Sequence, residues 1–255
     1  MSSHLPPDLE REIFEICALS WPLLIPKFML VAQRVKAWVE PLLYRTIPVS
    51  PVPLDGFRSR RFPAYPASRV TSLILAKPAG FFRSCTNLEN LYIADNTTAL
   101  IPHFDSVSVT RLRAPCEAIL RNLPPTHHFF SRLTHLELAD KAWRTNFDPS
   151  QALAALPHLT HLASSWSHFI PRLLQSCRTL RVLICLHNPS AERFDRVRPF
   201  AERLAHDIRF VVASGQYGVM AWYMSVQGGV DYWRRAEVFI EARRTRKIDT
   251  ELYLM

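Results

Sequence analysis

The sequence predicts an α/β chain: a short helical unit at the amino terminus, then a stack of short parallel strands joined by helical or loop returns, then a closing helix. Three observations predict it. Apolar residues recur at helical spacing between Leu9 and Leu43. A leucine-centred pattern then recurs at intervals of about two dozen residues. Finally, 20 prolines against only 6 glycines cut the chain into short elements and leave little material for Gly-rich phosphate loops.

Composition sets the outer bounds. The 255 residues are 48% hydrophobic and 21% charged, enough for a packed core. The net charge of +9 is uneven. Residues 1–47 are balanced, residues 48–191 carry +7 and residues 192–255 carry +2. A basic middle region would attract nucleic acid or an acidic protein, or serve simply as a solvated surface. The cysteines are Cys17, Cys85, Cys116, Cys177 and Cys185, with no C-x-x-C pair. Together with an acidic, proline-rich start unlike a signal peptide, they lead us to expect reduced, mostly buried thiols in a cytoplasmic or nuclear protein. No stretch is long and apolar enough to predict a membrane span, because Pro22, Pro26 and Lys27 interrupt the best candidate.

The first element is predicted from Leu9, Ile13, Ile16 and Cys17, which form one helical stripe. Pro6 and Pro7 suit its entry, and Asp8 and Glu10 suit the positive end of its dipole. Pro22 and Pro26 then break the chain, and Lys27–Gln33 is expected to form a second short helix. Val35, Trp38, Val39, Leu42 and Leu43 form another stripe, with Pro41 expected to kink or restart it. Three short helices cannot bury this many large side chains among themselves. They either cap the next domain or receive a partner helix.

Leu5-Pro6, Ile13-Phe14, Leu30-Val31 and Trp38, with the ending Glu40-Pro41-Leu42-Leu43-Tyr44-Arg45, resemble the F-box pattern, in the F-box-like form common in fungi. Ser20–Pro26, rich in Trp and Pro, departs from the family's charged turn. The resemblance covers roughly residues 4–47. It implies docking on the Skp-type adaptor of a cullin–RING ubiquitin ligase, with Leu5, Pro6, Leu9, Ile13, Val31 and Trp38 at or supporting the interface.

Residues 48–69 are rich in Pro and Arg and read as a linker, either a stiff spacer or a strand pair that opens the stack. Residues 70–215 hold the repeats. Leu73, Leu91, Leu112, Leu136, Leu162 and Leu183 anchor successive units at steps of 18, 21, 24, 26 and 21 residues, with Ile208–Val212 as a seventh candidate. These intervals match a degenerate leucine-rich-repeat solenoid. In L-x-L both leucines point to one side of a strand, so stacked units bury them together. Asn96 and Asn188 sit where such repeats place a ladder asparagine. Asp148-Pro149 predicts a helix entry, and Phe169–Cys177 and Phe200–Ala205 read as further returns. The residues between the leucines would line a concave, target-binding face: Asn90, Tyr92, Arg111, Arg113, His135, Glu137, His161 and Arg209, with Ile74, Val182 and Ile184 beside them.

Residues 216–255 are expected to close the array. Asp231 starts a helix over Tyr232–Lys247 whose Trp233, Ala236 and Ile240 share a face and cap the open end of the stack. Arg243-Arg244-Thr245-Arg246-Lys247 is a helix-end charge cluster or an import patch.

Catalytic signatures do not occur: no H-E-x-x-H, P-loop, G-x-G-x-x-G, G-x-S-x-G or zinc-type Cys/His spacing. No cofactor or metal is expected. The sequence therefore predicts a non-enzymatic substrate-recruiting adaptor of a Skp–cullin–F-box ligase, with a protein target on the repeat face. A repeat interaction protein without ligase docking and a basic nucleic-acid binder are the alternatives.

Overall fold

The computed structural model describes residues 5–21, 24–43, 45–49, 70–75, 82, 84–94, 97–140, 147–165, 169–187, 191–215, 218–226 and 231–255. The ladder asparagines Asn96 and Asn188 and most of the 48–69 linker lie outside these residues.

Three helices open the chain: α1 (Pro7–Ser20), α2 (Ile25–Phe28) and α3 (Gln33–Leu43). Pro7 sits in the first turn of α1, where its missing N–H is no loss, and Asp8 and Glu10 complement the exposed amides there. The second helix begins at Ile25 rather than Lys27, and α3 runs through Pro41 without ending. Ala18, Ile25, Val35 and Val39 form the buried centre of this unit, with Phe14, Phe28, Met29, Trp38 and Leu42 packed around it. Phe14 meets Phe28 edge-on, ring centres 6.0 Å apart. On α1 the inward face is therefore Glu10, Phe14, Cys17 and Ala18. Leu9, Ile13 and Ile16 point the other way.

The rest is built on an eight-stranded parallel sheet in which each strand pairs with the next in sequence. The strands are β1 (Thr46–Val49), β2 (Ser72–Leu75), β3 (Asn90–Ile93), β4 (Arg111–Ala114), β5 (His135–Leu138), β6 (His161–Ser164), β7 (Val182–His187) and β8 (Phe210–Ser214). The sheet thus starts at Thr46, inside the segment assigned from sequence to the helical unit, and the linker opens as a strand. Leu73, Leu91, Leu112, Leu136, Leu162 and Leu183 all lie in one rung, completed by Phe210.

That rung and its partner, from Leu75 through Ile93, Ala114, Leu138 and Cys185 to Val212, face the main core. The returns cover this face: 3₁₀ turns at Thr97–Ser106 and His128–Phe130, then α4 (Glu117–Asn122), α5 (Ser150–Ala154), α6 (Ile170–Ser176) and α7 (Ala191–Leu204). Phe82, Phe104 and Phe129 from consecutive returns meet in the core, Phe82 edge-on to Phe104 and Phe104 stacked on Phe129 with ring centres 4.1 Å apart. Asp140 reaches back one unit to accept from the Cys116 and Glu117 amides and caps α4. Asp148 likewise accepts from Ser150 N–H at the start of α5, one residue later than the sequence predicts.

The carboxy-terminal segment departs from expectation. Helices α8 (Val219–Val226) and α9 (Tyr232–Arg244) lie over the second face of the sheet, not at its end. Trp222, Tyr223 and Val226 pack on Ile74 and Tyr92. Trp233, Ala236 and Ile240 pack on Ala163, Val182, Ile184, Leu186, Val211 and Ala213. The reason is in the strands: from β6 onward the second face is as apolar as the first and has to be covered. The open edge is closed by the tail, where Val212 N–H donates to Tyr253 O and Met255 N–H donates to Val212 O.

Candidate functional site

Two surfaces compete for a functional role: the outer face of the helical unit and the second face of the sheet.

The helical unit keeps large apolar side chains in water. Leu5, Leu9, Ile13 and Val31, all expected at an interface, are exposed, Val31 by 60%. Ile16, Trp21 and Leu30 join them, Leu30 at 86%. Scattered exposed apolar residues are ordinary, but seven within one small helical unit, three of them (Leu9, Ile13 and Ile16) on one side of α1, exceed that and suit a partner. The order on which the patch stands is local. Pro6 is the residue before α1 and its carbonyl accepts from Glu10 N–H. Arg34 on α3 then clamps Glu10 with two hydrogen bonds of 3.0 and 2.8 Å. Trp38 is different. It is half-buried against the unit's own centre, so it supports the patch from beneath. The resemblance does not point to Ile16 or Trp21, and the signal in the sequence that does reach Ile16 is its place in the Leu9-Ile13-Ile16 stripe.

The second face holds the charged cluster expected to bind a target, but its own chain covers it. Tyr92, Glu137 and His161 are buried. Arg111 Nη1 lies 2.9 Å from Asp231 Oδ2, whose other oxygen accepts from Arg234 N–H and caps α9. Glu137 accepts from Arg113 Nε at 2.7 Å and from Tyr232 Oη at 2.6 Å. Arg113 also stacks over the Tyr92 ring at 4.3 Å, and Tyr92 meets Trp222. The His135 and His161 rings stack 4.1 Å apart beneath the edge of Trp233, and His161 Nε2 contacts Glu237. Asn90 bonds Ser72 within the sheet. Arg209 is not on this face at all. It pairs with Asp207 and donates to the carbonyls of Leu174 and Cys177, behind the sheet. The expectation that these eight residues line an open target face is corrected accordingly. The strand alternation places seven of them on one side, but the two closing helices occupy it.

Electrostatics on this face are those of a closed interior. Burial pushes His135 down to about 3, helped by the charges of His161 and Arg111. Burial also lowers His161, with Glu237 opposing. Tyr232 is raised well above its ordinary value by burial and then by Glu137. Burial opposes the Arg113 charge, but Glu137 and Tyr92 outweigh it and the guanidinium is held more tightly than usual. The thiols of Cys85 and Cys177 rise to about 11 and Cys185 to about 12, all through burial, so little thiolate exists near neutral pH. Among the described residues no group of three or more His, Cys, Asp or Glu is placed to hold a metal ion, and no helix is long and apolar enough to cross a membrane.

Comparison with family models, with curated proteins and with solved structures finds no match to this chain. Its class is therefore stated by architecture: a mixed α/β protein with a sequential parallel sheet, a covered second face and an exposed apolar helical unit.

Proposed function

We propose that the chain is a non-catalytic, substrate-recruiting adaptor of a Skp–cullin–F-box ubiquitin ligase, docking through residues 5–43. The observation that carries this reading is the uncovered apolar patch of Leu5, Leu9, Ile13, Ile16, Trp21, Leu30 and Val31 on helices that have their own small core. A unit already packed beneath and bare above suits a helical partner laid across it. Its order of residues resembles the F-box pattern, and the sequential strand order and in-register leucines of the sheet support reading it as a degenerate leucine-rich-repeat array. Held on a ligase scaffold, the sheet domain would present a bound target to ubiquitin transfer by proximity. Its location would be the cytoplasm or the nucleus.

Co-purification with the Skp-type adaptor tests the reading. The wild-type chain is expected to recover the adaptor, and L9E/I13E/V31E is expected to lose it while remaining folded. No recovery by the wild type, or equal recovery by both, rejects docking through this face.

A further inference from the structure

We propose that the amino-terminal edge of the sheet between β4 and β7 binds an extended acidic peptide segment. This goes beyond the adaptor reading and stands without it.

Just before each strand the chain repeats a three-residue pattern around a buried apolar centre: Ser108-Val109-Thr110, Arg132-Leu133-Thr134, His158-Leu159-Thr160 and Thr179-Leu180-Arg181. The strand register puts equivalent residues beside one another, so two polar rows run across the strand starts. One row is Thr110, Thr134, Thr160 and Arg181. The other is Ser108, Arg132, His158 and Thr179. Neighbouring strands stand about 4.8 Å apart, so the rows span roughly 14 Å. The threonines are tied into the sheet: Thr134 Oγ1 donates to Thr110 O at 3.2 Å and Thr160 Oγ1 to Thr134 O at 3.4 Å. Each of these two hydroxyls also lies 2.8 Å from the Nδ1 of the histidine that follows it, so they are committed to the sheet and the arginines carry the attraction for an acidic ligand.

The rows border an open depression of about 630 Å³. Arg132, His158 and Arg181 line it, and among the described residues no carboxylate does. Among the described residues, Arg132 and Arg181 are exposed and are paired with no acidic side chain. Among the described residues about half of the other exposed arginines have a neighbouring acid, as Arg11 has Glu15, Arg172 has Asp148 and Arg244 has Glu241, so what sets Arg132 and Arg181 apart is that they share one depression. The row ends at exposed Glu89, the equivalent residue before β3, which sets a like-charge limit for an acidic ligand on that side. Carboxylates spaced along an extended peptide fit two separated guanidinium groups, Arg132 and Arg181, at the border of one polar depression. A nucleic-acid strand would need ring platforms for its bases, and among the described residues the imidazole of His158 is the one ring beyond Pro157 that the depression offers.

The test uses the full chain and a short fluorescein-labelled Glu-rich peptide, read by anisotropy at low salt. Binding is expected, weakening as salt rises, with the matching Gln-rich peptide left unbound. R132E/R181E is expected to reduce affinity about tenfold or more. R235E/K247E, an equal charge change at exposed positions on and beyond α9, is expected to stay within roughly twofold. Circular dichroism checks that both variants are folded. No binding of the Glu-rich peptide, equal losses in the two variants, equal binding of the Gln-rich peptide, or tighter binding of a single-stranded oligonucleotide overturns the proposal. No ligase component is present, so this inference and the adaptor reading can fail separately.

Discussion

Arg243 carries more of the fold than its place in a basic run suggests. It is 1% exposed, and its guanidinium donates to the carbonyls of Ala205, Phe210 and Thr250. It thereby ties α9 to the end of α7, to β8 and to the tail. The run Arg243–Lys247 cannot act as one continuous surface patch, because its first member is inside. Replacing Arg243 with Met removes the charge and leaves those carbonyls short of donors. The expected cost is about 3 kcal/mol or more, read as a lowered urea midpoint. An unchanged midpoint would show that water replaces the guanidinium. His135 supports a second prediction at this scale. Its folded value near 3 lies below the ordinary 6.5, so above pH 6.5 both states are neutral and its stabilising effect is fully present. As pH falls below 6.5 the unfolded chain takes up a proton that the folded chain refuses. Stability then declines by up to about 1.4 kcal/mol per pH unit for this residue, continuing toward pH 3. His161 adds in the same direction because burial lowers it too. Between pH 6.5 and 5, where carboxylates stay largely ionised, H135Q is expected to flatten the curve of unfolding free energy against pH. A curve as steep as wild type would count against an imidazole held neutral beneath Trp233.

At the scale of elements, α1 and α9 show opposite uses of an amphipathic helix. α9 turns Trp233, Ala236 and Ile240 onto the sheet, and Trp233 closes over both stacked histidines. Trp233→Ala is expected to cost about 3 kcal/mol or more, since a large buried ring leaves a cavity that a strand surface cannot collapse to fill. α1 buries only its Phe14–Ala18 side. Because Leu9 and Ile13 already stand in water, L9E/I13E is expected to leave stability within about 0.5 kcal/mol, whereas Val35→Ala in the same unit costs about 2 kcal/mol. Thermal melts of the two variants separate a docking face from a structural one. A large loss in L9E/I13E would mean that the patch already has a partner inside the chain.

At the scale of the whole molecule, strand-level order was legible in the sequence and the long-range covering was not. Leu-x-Leu at two-residue spacing has only one buried solution when strands stack, so the anchors from Leu73 to Leu183 fall in a single rung as expected. On α1 the pattern was ambiguous, because Leu9-Ile13-Ile16 and Phe14-Cys17-Ala18 are both apolar stripes and periodicity cannot say which one turns inward. The placement of α9 was less legible still. Its stripe announces a buried face but not the surface that buries it, and Val182, Ile184 and Val211 could equally have waited for a foreign partner. For the candidate site the consequence is a displacement: the charged residues of the second face are paired beneath the closing helices, and the exposed Arg132 and Arg181 stand at the edge where the strands begin. The same geometry yields a prediction for the molecule as a unit. Each strand touches only its neighbours, while α9 spans β4 to β8 through Asp231–Arg111, Tyr232–Glu137, Glu237–His161 and the packing of Ile240. Removing residues 231–255 therefore strips the tie and the tail from the same end. The truncated chain is expected to bind a hydrophobic dye and to lose amide-exchange protection first at β7 and β8, with β2 and β3 still held by α8. Uniform loss along the sheet would mean that the array unfolds as one block and that α9 is a cover without a tying role.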